Sequence, residues 1–97
     1  MKSKIDFRIT CTAEDRQGPA RILGVFASRD LLPVRFASVL QPSGVVHVEV
    51  TLKEETVGAP GPCHLARLIT RIPTVASVEL FVDGELAAFD LAETAEA

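Results

Sequence analysis

Apolar and polar residues alternate from Ile5 to Cys11, with Ile5, Phe7, Ile9 and Cys11 separated by Asp6, Arg8 and Thr10. A period of two is that of a strand with one buried face, so this run predicts a first strand. Pro19, Ile22, Leu23, Phe26 and Ala27 then recur at helical spacing, with Arg21, Ser28, Arg29 and Asp30 on the other side. Gly18-Pro19 opens this helix, because proline's missing N–H is harmless at the first helical position. Pro33 stops it and turns Val34 to Leu40 into a second strand, whose facing the alternation leaves open and where a bulge is allowed. Gln41-Pro42-Ser43-Gly44 is a turn that joins this run to Val45 to Leu52 as an antiparallel hairpin. In the third strand Val46, Val48, Val50 and Leu52 share one face, and His47, Glu49 and Thr51 the other. Lys53 to Gly61 reads as a loop. Pro62 after Gly61 repeats the Gly-Pro start, and Leu65, Leu68, Ile69 and Ile72 form the stripe of a second helix that Pro73 ends. Val75 to Val82 is the fourth strand, and Asp83-Gly84 a turn.

This order, strand, helix, strand, strand, helix, strand, has two crossovers that must be right-handed, which places both helices on one face of the sheet. The expectation is an α+β domain of ferredoxin-like βαββαβ type, a four-stranded antiparallel sheet with two helices on one face. The domain is expected to span residues 1–84. Glu85 to Ala97 is rich in Ala and Glu, and is expected to be a frayed acidic tail. The sheet face carrying Arg8, Thr10, His47, Glu49 and Glu79 has no covering element in this order, and so meets water or another protomer.

Composition narrows the function. With 97 residues, 47% apolar and 24% charged, the chain is one globular domain. Its net charge of −3 gives it no reason to approach a polyanion, so nucleic acid is not an expected partner. No apolar run approaches the roughly 20 residues of a membrane span, and the polar start has no signal-peptide core, so the reading is cytoplasmic with no membrane partner. Two cysteines without a CxxC pair imply reduced thiols.

Catalytic chemistry finds little support. The chain has no GxxxxGK[ST], GxSxG or HExxH pattern, so no enzyme activity is expected. Cys11, His47, Cys63 and His64 could be drawn as a metal cluster, yet the adjacent Cys63-His64 pair cannot easily turn both side chains to one ion. No metal and no cofactor are expected. RNA-recognition domains share this element order but stack bases on aromatic side chains of the open face. Here Tyr and Trp are absent and only Phe81 clearly faces outward. Arg21, Arg29, Arg67 and Arg71 read best as a solvated helical surface.

The stretch from Asp15 to Asp30, with Gln17-Gly18-Pro19 ahead of Arg21-Ile22-Leu23-Gly24-Val25-Phe26, resembles the first loop and helix of ACT domains. Leu65 to Val78 is similar to their second helix and its link into the last strand. The likeness spans about Ile5 to Asp83 and, among ACT proteins, leans toward the small regulatory subunit of acetolactate synthase. It implies a regulatory domain that pairs into at least a dimer, binds an amino acid and acts on a catalytic subunit. It further implies that the ligand site lies where the first loop meets a neighbouring subunit, lined by Asp15, Gln17, Gly18 and Pro19, with Leu32 and Pro33 at its opposite wall. Two departures accompany the likeness: the first loop is one residue shorter than the common form, and Asp30-Leu31-Leu32-Pro33 lacks the amide side chain usual there. A module of the same fold that binds nothing small and only mediates oligomerisation is the alternative.

Overall fold

The first alternating run forms β1 (Lys4–Thr12), and Gly18-Pro19 starts α1 (Gly18–Ala27) as its spacing predicts. In the computed structural model, which describes residues 4–12, 14, 16–53 and 61–91, these are followed by β2 (Arg35–Leu40), β3 (Val45–Lys53), α2 (Pro62–Thr70), β4 (Val75–Val82) and β5 (Glu85–Leu91). All strand pairs are antiparallel, in the order β2-β3-β1-β4-β5. Most of the expected loop after Lys53 lies outside the described residues, as do Asp15 and residues 92–97.

Both helices cover the same sheet face. Ile22 and Phe26 of α1 and Leu65, Ala66 and Ile69 of α2 join Ile5, Phe7, Ile9 and Cys11 of β1, the even-numbered apolar residues of β3, and Val75, Val78 and Leu80 of β4 in one core. At its centre the rings of Phe7 and Phe26 meet edge to face, 5.3 Å apart at 67°, a geometry aromatic pairs prefer.

The sheet has five strands, and this corrects the expected four. Residues 85–91, placed by composition in a frayed tail, pair with β4 along its outer edge. The cause is local. Asp83 and Gly84 both have positive φ, 55° and 87°, which is the two-residue turn whose twist matches that of a hairpin. Asp83 is also held against the start of β1: its N–H donates to the Lys4 carbonyl at 2.8 Å, and its Oδ1 accepts from the Lys4 N–H at 2.9 Å. The turn is therefore fastened to the sheet before the chain runs back along β4.

A bulge at the start of β4 sets which side chains there enter the core. Between β1 and β4 the pairing passes from Thr10–Ser77 to Cys11–Val75, leaving Ala76 as an extra residue. This bulge turns Val75 inward, where strict alternation from Val78 and Leu80 would have pointed it out. The β2–β3 hairpin closes through Gln41 N–H to Val45 O at 2.8 Å and Gly44 N–H to Gln41 O at 2.9 Å, with Gly44 at φ 90°. That is a three-residue loop with a glycine in the left-handed region.

The end of α1 is capped by the backbone. Asp30 takes φ 61°, its N–H reaches Ala27 O at 3.0 Å, and Leu31 N–H reaches Phe26 O at 2.9 Å. This pair of bonds satisfies the last carbonyls and tucks Leu31 against the core.

Two substitutions two residues apart should have opposite effects. A Cβ at Gly24 would meet nothing within 4 Å, so Gly24→Ala should stabilise the fold by about 0.8–1 kcal/mol through helix propensity alone. Phe26→Ala should cost about 3–5 kcal/mol by emptying the core beside Phe7. Urea denaturation of the two variants beside the parent chain reads both.

Candidate functional site

The residues that the resemblance assigns to a ligand site fall into two groups. Gln17 is the N-cap of α1, with φ −92° and ψ 0°; its side chain makes no capping bond, and its carbonyl accepts from Arg21 N–H at 2.8 Å. Gly18 is buried and Pro19 half-buried. Asp15 lies outside the described residues. Leu32 is 84% exposed and Pro33 half-buried, and both follow the other end of α1. A ten-residue helix is about 15 Å long, so the two groups stand a helix length apart in one chain. Val34 N–H, bonded to Thr51 O at 2.8 Å, confirms that the chain here has reached the Lys4–Asp6 end of the sheet, opposite Gln17. A single small molecule can touch both groups only where two chains meet.

The open sheet face is polar and internally paired. Arg8 stands between Glu49 of β3 and Glu79 of β4 in the pairing register, and its guanidinium lies 4.3 Å from the ring centre of half-buried Phe81. Arg35 Nη1 donates to Glu49 Oε1 at 2.9 Å. Lys4 Nζ lies 3.8 Å from Asp6 Oδ2, while the hydroxyl of the buried Thr51 donates to Asp6 Oδ1. Together with Val34 these residues line a cleft of about 360 Å³. Each exposed ion pair stabilises little by itself, because water screens it. The arrangement is a surface of alternating sign, with no acid–base pair aligned on a nucleophile.

A second cleft, of about 390 Å³, lies where α2 ends and β4 begins, lined by Thr12, Thr70, Thr74 and the segment Ile72-Pro73 with Val75 and Ala76. The Thr70 hydroxyl donates to Arg67 O at 2.6 Å, and Thr12 N–H to Thr74 O at 3.0 Å. Neither cleft has a sequence signature, because each is assembled from segments far apart along the chain.

The cysteines and histidines do not converge. Cys11 is buried in the core and Cys63 exposed in the first turn of α2, whereas His47 is exposed on the opposite sheet face, paired with Thr10. Among the described residues no group of three or more His, Cys, Asp or Glu is placed to hold a metal ion. No helix among them is long and apolar enough to cross a membrane.

No protein-family model matches the chain, and no curated protein matches it by sequence. Solved structures do share its shape. The ACT domain from GTP pyrophosphokinase of Chlorobium tepidum superposes with a TM-score of 0.66 over 84% of this chain and 100% of that domain, at 14% identity. The C-terminal domain of the MgtC protein from Mycobacterium tuberculosis gives 0.63 over 89% of this chain and 93% of that one, at 16% identity. The chain has the fold of an ACT domain, with five strands in its sheet.

Proposed function

We propose that this chain is a regulatory domain of ACT type that binds an amino acid and acts on a separate catalytic subunit, and is not itself an enzyme. The observation that carries the reading is the fold shared with an ACT domain along the whole length of that domain. The finer reading is the small subunit of an acetolactate synthase, in branched-chain amino acid biosynthesis in the cytoplasm. It rests on the likeness of the Gln17 to Phe26 and Leu65 to Val78 segments.

The ligand site in this proposal is shared between two copies of the chain. At the start of α1 the N–H groups of Gly18 and Ala20 lack partners one turn back, as in any helix, and Pro19 has none to offer. They form the positive end of the helix dipole and suit a carboxylate without help from Lys or Arg. Leu32 and Pro33 of the neighbouring copy would meet the ligand's apolar side chain. Binding at such a junction favours one packing of the pair, and regulation follows from the different affinity of the ligand for the two packings. The alternative, a module that only assembles, draws support from the exposed apolar residues along β2 and the segment before it.

A thermal-shift screen of the full chain against the amino acids at millimolar concentration tests this reading. A branched-chain amino acid at about 100 times its dissociation constant should stabilise the fold by about 2.7 kcal/mol and raise the melting temperature by several degrees. Silence across the set would leave the assembly module standing. Gln17→Asp sets a carboxylate beside the Ala20 N–H, where it should compete with the ligand's own carboxylate and remove the shift. Copurification with a large thiamine-diphosphate enzyme would support the acetolactate synthase assignment.

A further inference from the structure

The cleft on the open sheet face exists because one side chain there is short. Thr51 of β3 stands between Arg35 of β2 and Asp6 of β1 in the pairing register, and it is buried while its longer neighbours reach outward. The exposed side chains of Lys4, Arg8, Arg35 and Glu49 rise around this low point and enclose about 360 Å³. That is the small end of the range of ligand pockets, about 300–1,000 Å³. The cleft lies on the side away from both helices and shares no residue with the two ends of α1.

Two ion pairs inside the cleft leave one charge over. Three cations and two carboxylates line it, in a chain whose own net charge is −3. Arg35 is committed to Glu49, and Lys4 to Asp6, which also accepts the Thr51 hydroxyl. Arg8 has no such partner. Although Glu49 and Glu79 flank it in register, among the described residues its guanidinium makes no ion pair and no hydrogen bond. It leans diagonally to Phe81, two residues along β4 from Glu79, and lies 4.3 Å from the ring centre. A ring attracts the positive charge of an arginine without taking up its five N–H donors. The guanidinium is thereby held in place with its donors unused, which lowers the ordering cost of receiving a ligand.

We propose that this cleft binds a small organic monocarboxylate, both of whose oxygens accept hydrogen bonds from Arg8. The planar fork of a guanidinium matches a carboxylate in this way, and such charge-assisted bonds are about twice as strong as neutral ones. One unpaired cation suits one negative charge. Asp6 and Glu49 on the rim repel a second, which disfavours a phosphate dianion. Both carboxylates are already partnered, so an ammonium group finds no free acceptor, and an amino acid is not the ligand here. The site is separate from the amino-acid site proposed at α1, and its test does not depend on that one.

Titration of the isotope-labelled full chain with sodium propionate, followed by nuclear magnetic resonance, reads the site directly. With sodium chloride at matched ionic strength as reference, the Arg8 Nε–Hε signal and the Asp6 and Thr51 amides should shift saturably at millimolar propionate. The amides of Gln17 and Gly18 should stay in place. Arg8→Gln should weaken binding, read at Asp6 and Thr51, at least about 10-fold, with circular dichroism unchanged because Arg8 is exposed. Arg8→Lys keeps the charge without the fork and should not restore affinity. Phe81→Leu leaves every charge in place and should weaken binding about 2- to 5-fold, the worth of an exposed cation–π contact. No saturable shift at Arg8, an equal shift with chloride, or a response confined to Gln17 and Gly18 would overturn the proposal. So would parental affinity in either Arg8 variant, or tighter binding of inorganic phosphate or glycine than of propionate at these signals.

Discussion

The contact between Phe26 of α1 and Phe7 of β1 is where two periodicities meet: a helix repeating every 3.6 residues presents its stripe to a strand repeating every two. Around that contact α1, α2, β1, β3 and β4 bury their apolar residues on a single side of the sheet. Putting the helices together on that side commits the other to solvent or to a partner, since a sheet cannot be covered twice by two helices. The remaining features of the surface follow from this asymmetry.

On the uncovered side the chain compensates its own charges. Arg8 lies over Phe81 and between two glutamates in register, Arg35 meets Glu49, and Asp6 takes both Lys4 and the Thr51 hydroxyl. Among the described residues no buried side-chain polar atom is left without a partner. Such a face resists nonspecific association, because a partner would have to strip water from paired ions for little return. Of the large apolar residues left exposed among the described residues, Leu32, Val34, Val39 and Leu40 lie on β2 or just before it, Leu23 on α1 and Leu86 on β5.

Shape and sequence speak with different strength about the family. Identities of 14% and 16% with the ACT and MgtC domains leave only the fold as common ground. Within that fold the two ends of α1 are the positions the resemblance assigns to a ligand, and a helix length separates them in the single chain. The geometry makes any shared site a property of an assembly.

Much of the architecture was legible in the residues because it depends on neighbours close along the chain. Alternation in β1 and β3, helical spacing after each Gly-Pro pair, and the turn at Gln41 to Gly44 are local constraints, and each element stands within a few residues of where they place it. The fifth strand was announced by Asp83-Gly84 yet hidden by an Ala- and Glu-rich continuation. Strand formation there is decided by the open edge of β4 and the bonds of Asp83 to Lys4, not by the propensity of residues 85–91. The inward turn of Val75 was equally out of reach, since a bulge arises from register against β1. The separation of Gln17 and Gly18 from Leu32 and Pro33, by contrast, follows from the helix that the spacing places between them. Which segments become helix or strand, and which faces are apolar, can be read from residues close along the chain, because they follow from backbone geometry and side-chain periodicity. Strand count, register and the meeting of distant residues emerge with the folded chain, because they depend on edges and bonds between segments far apart in it.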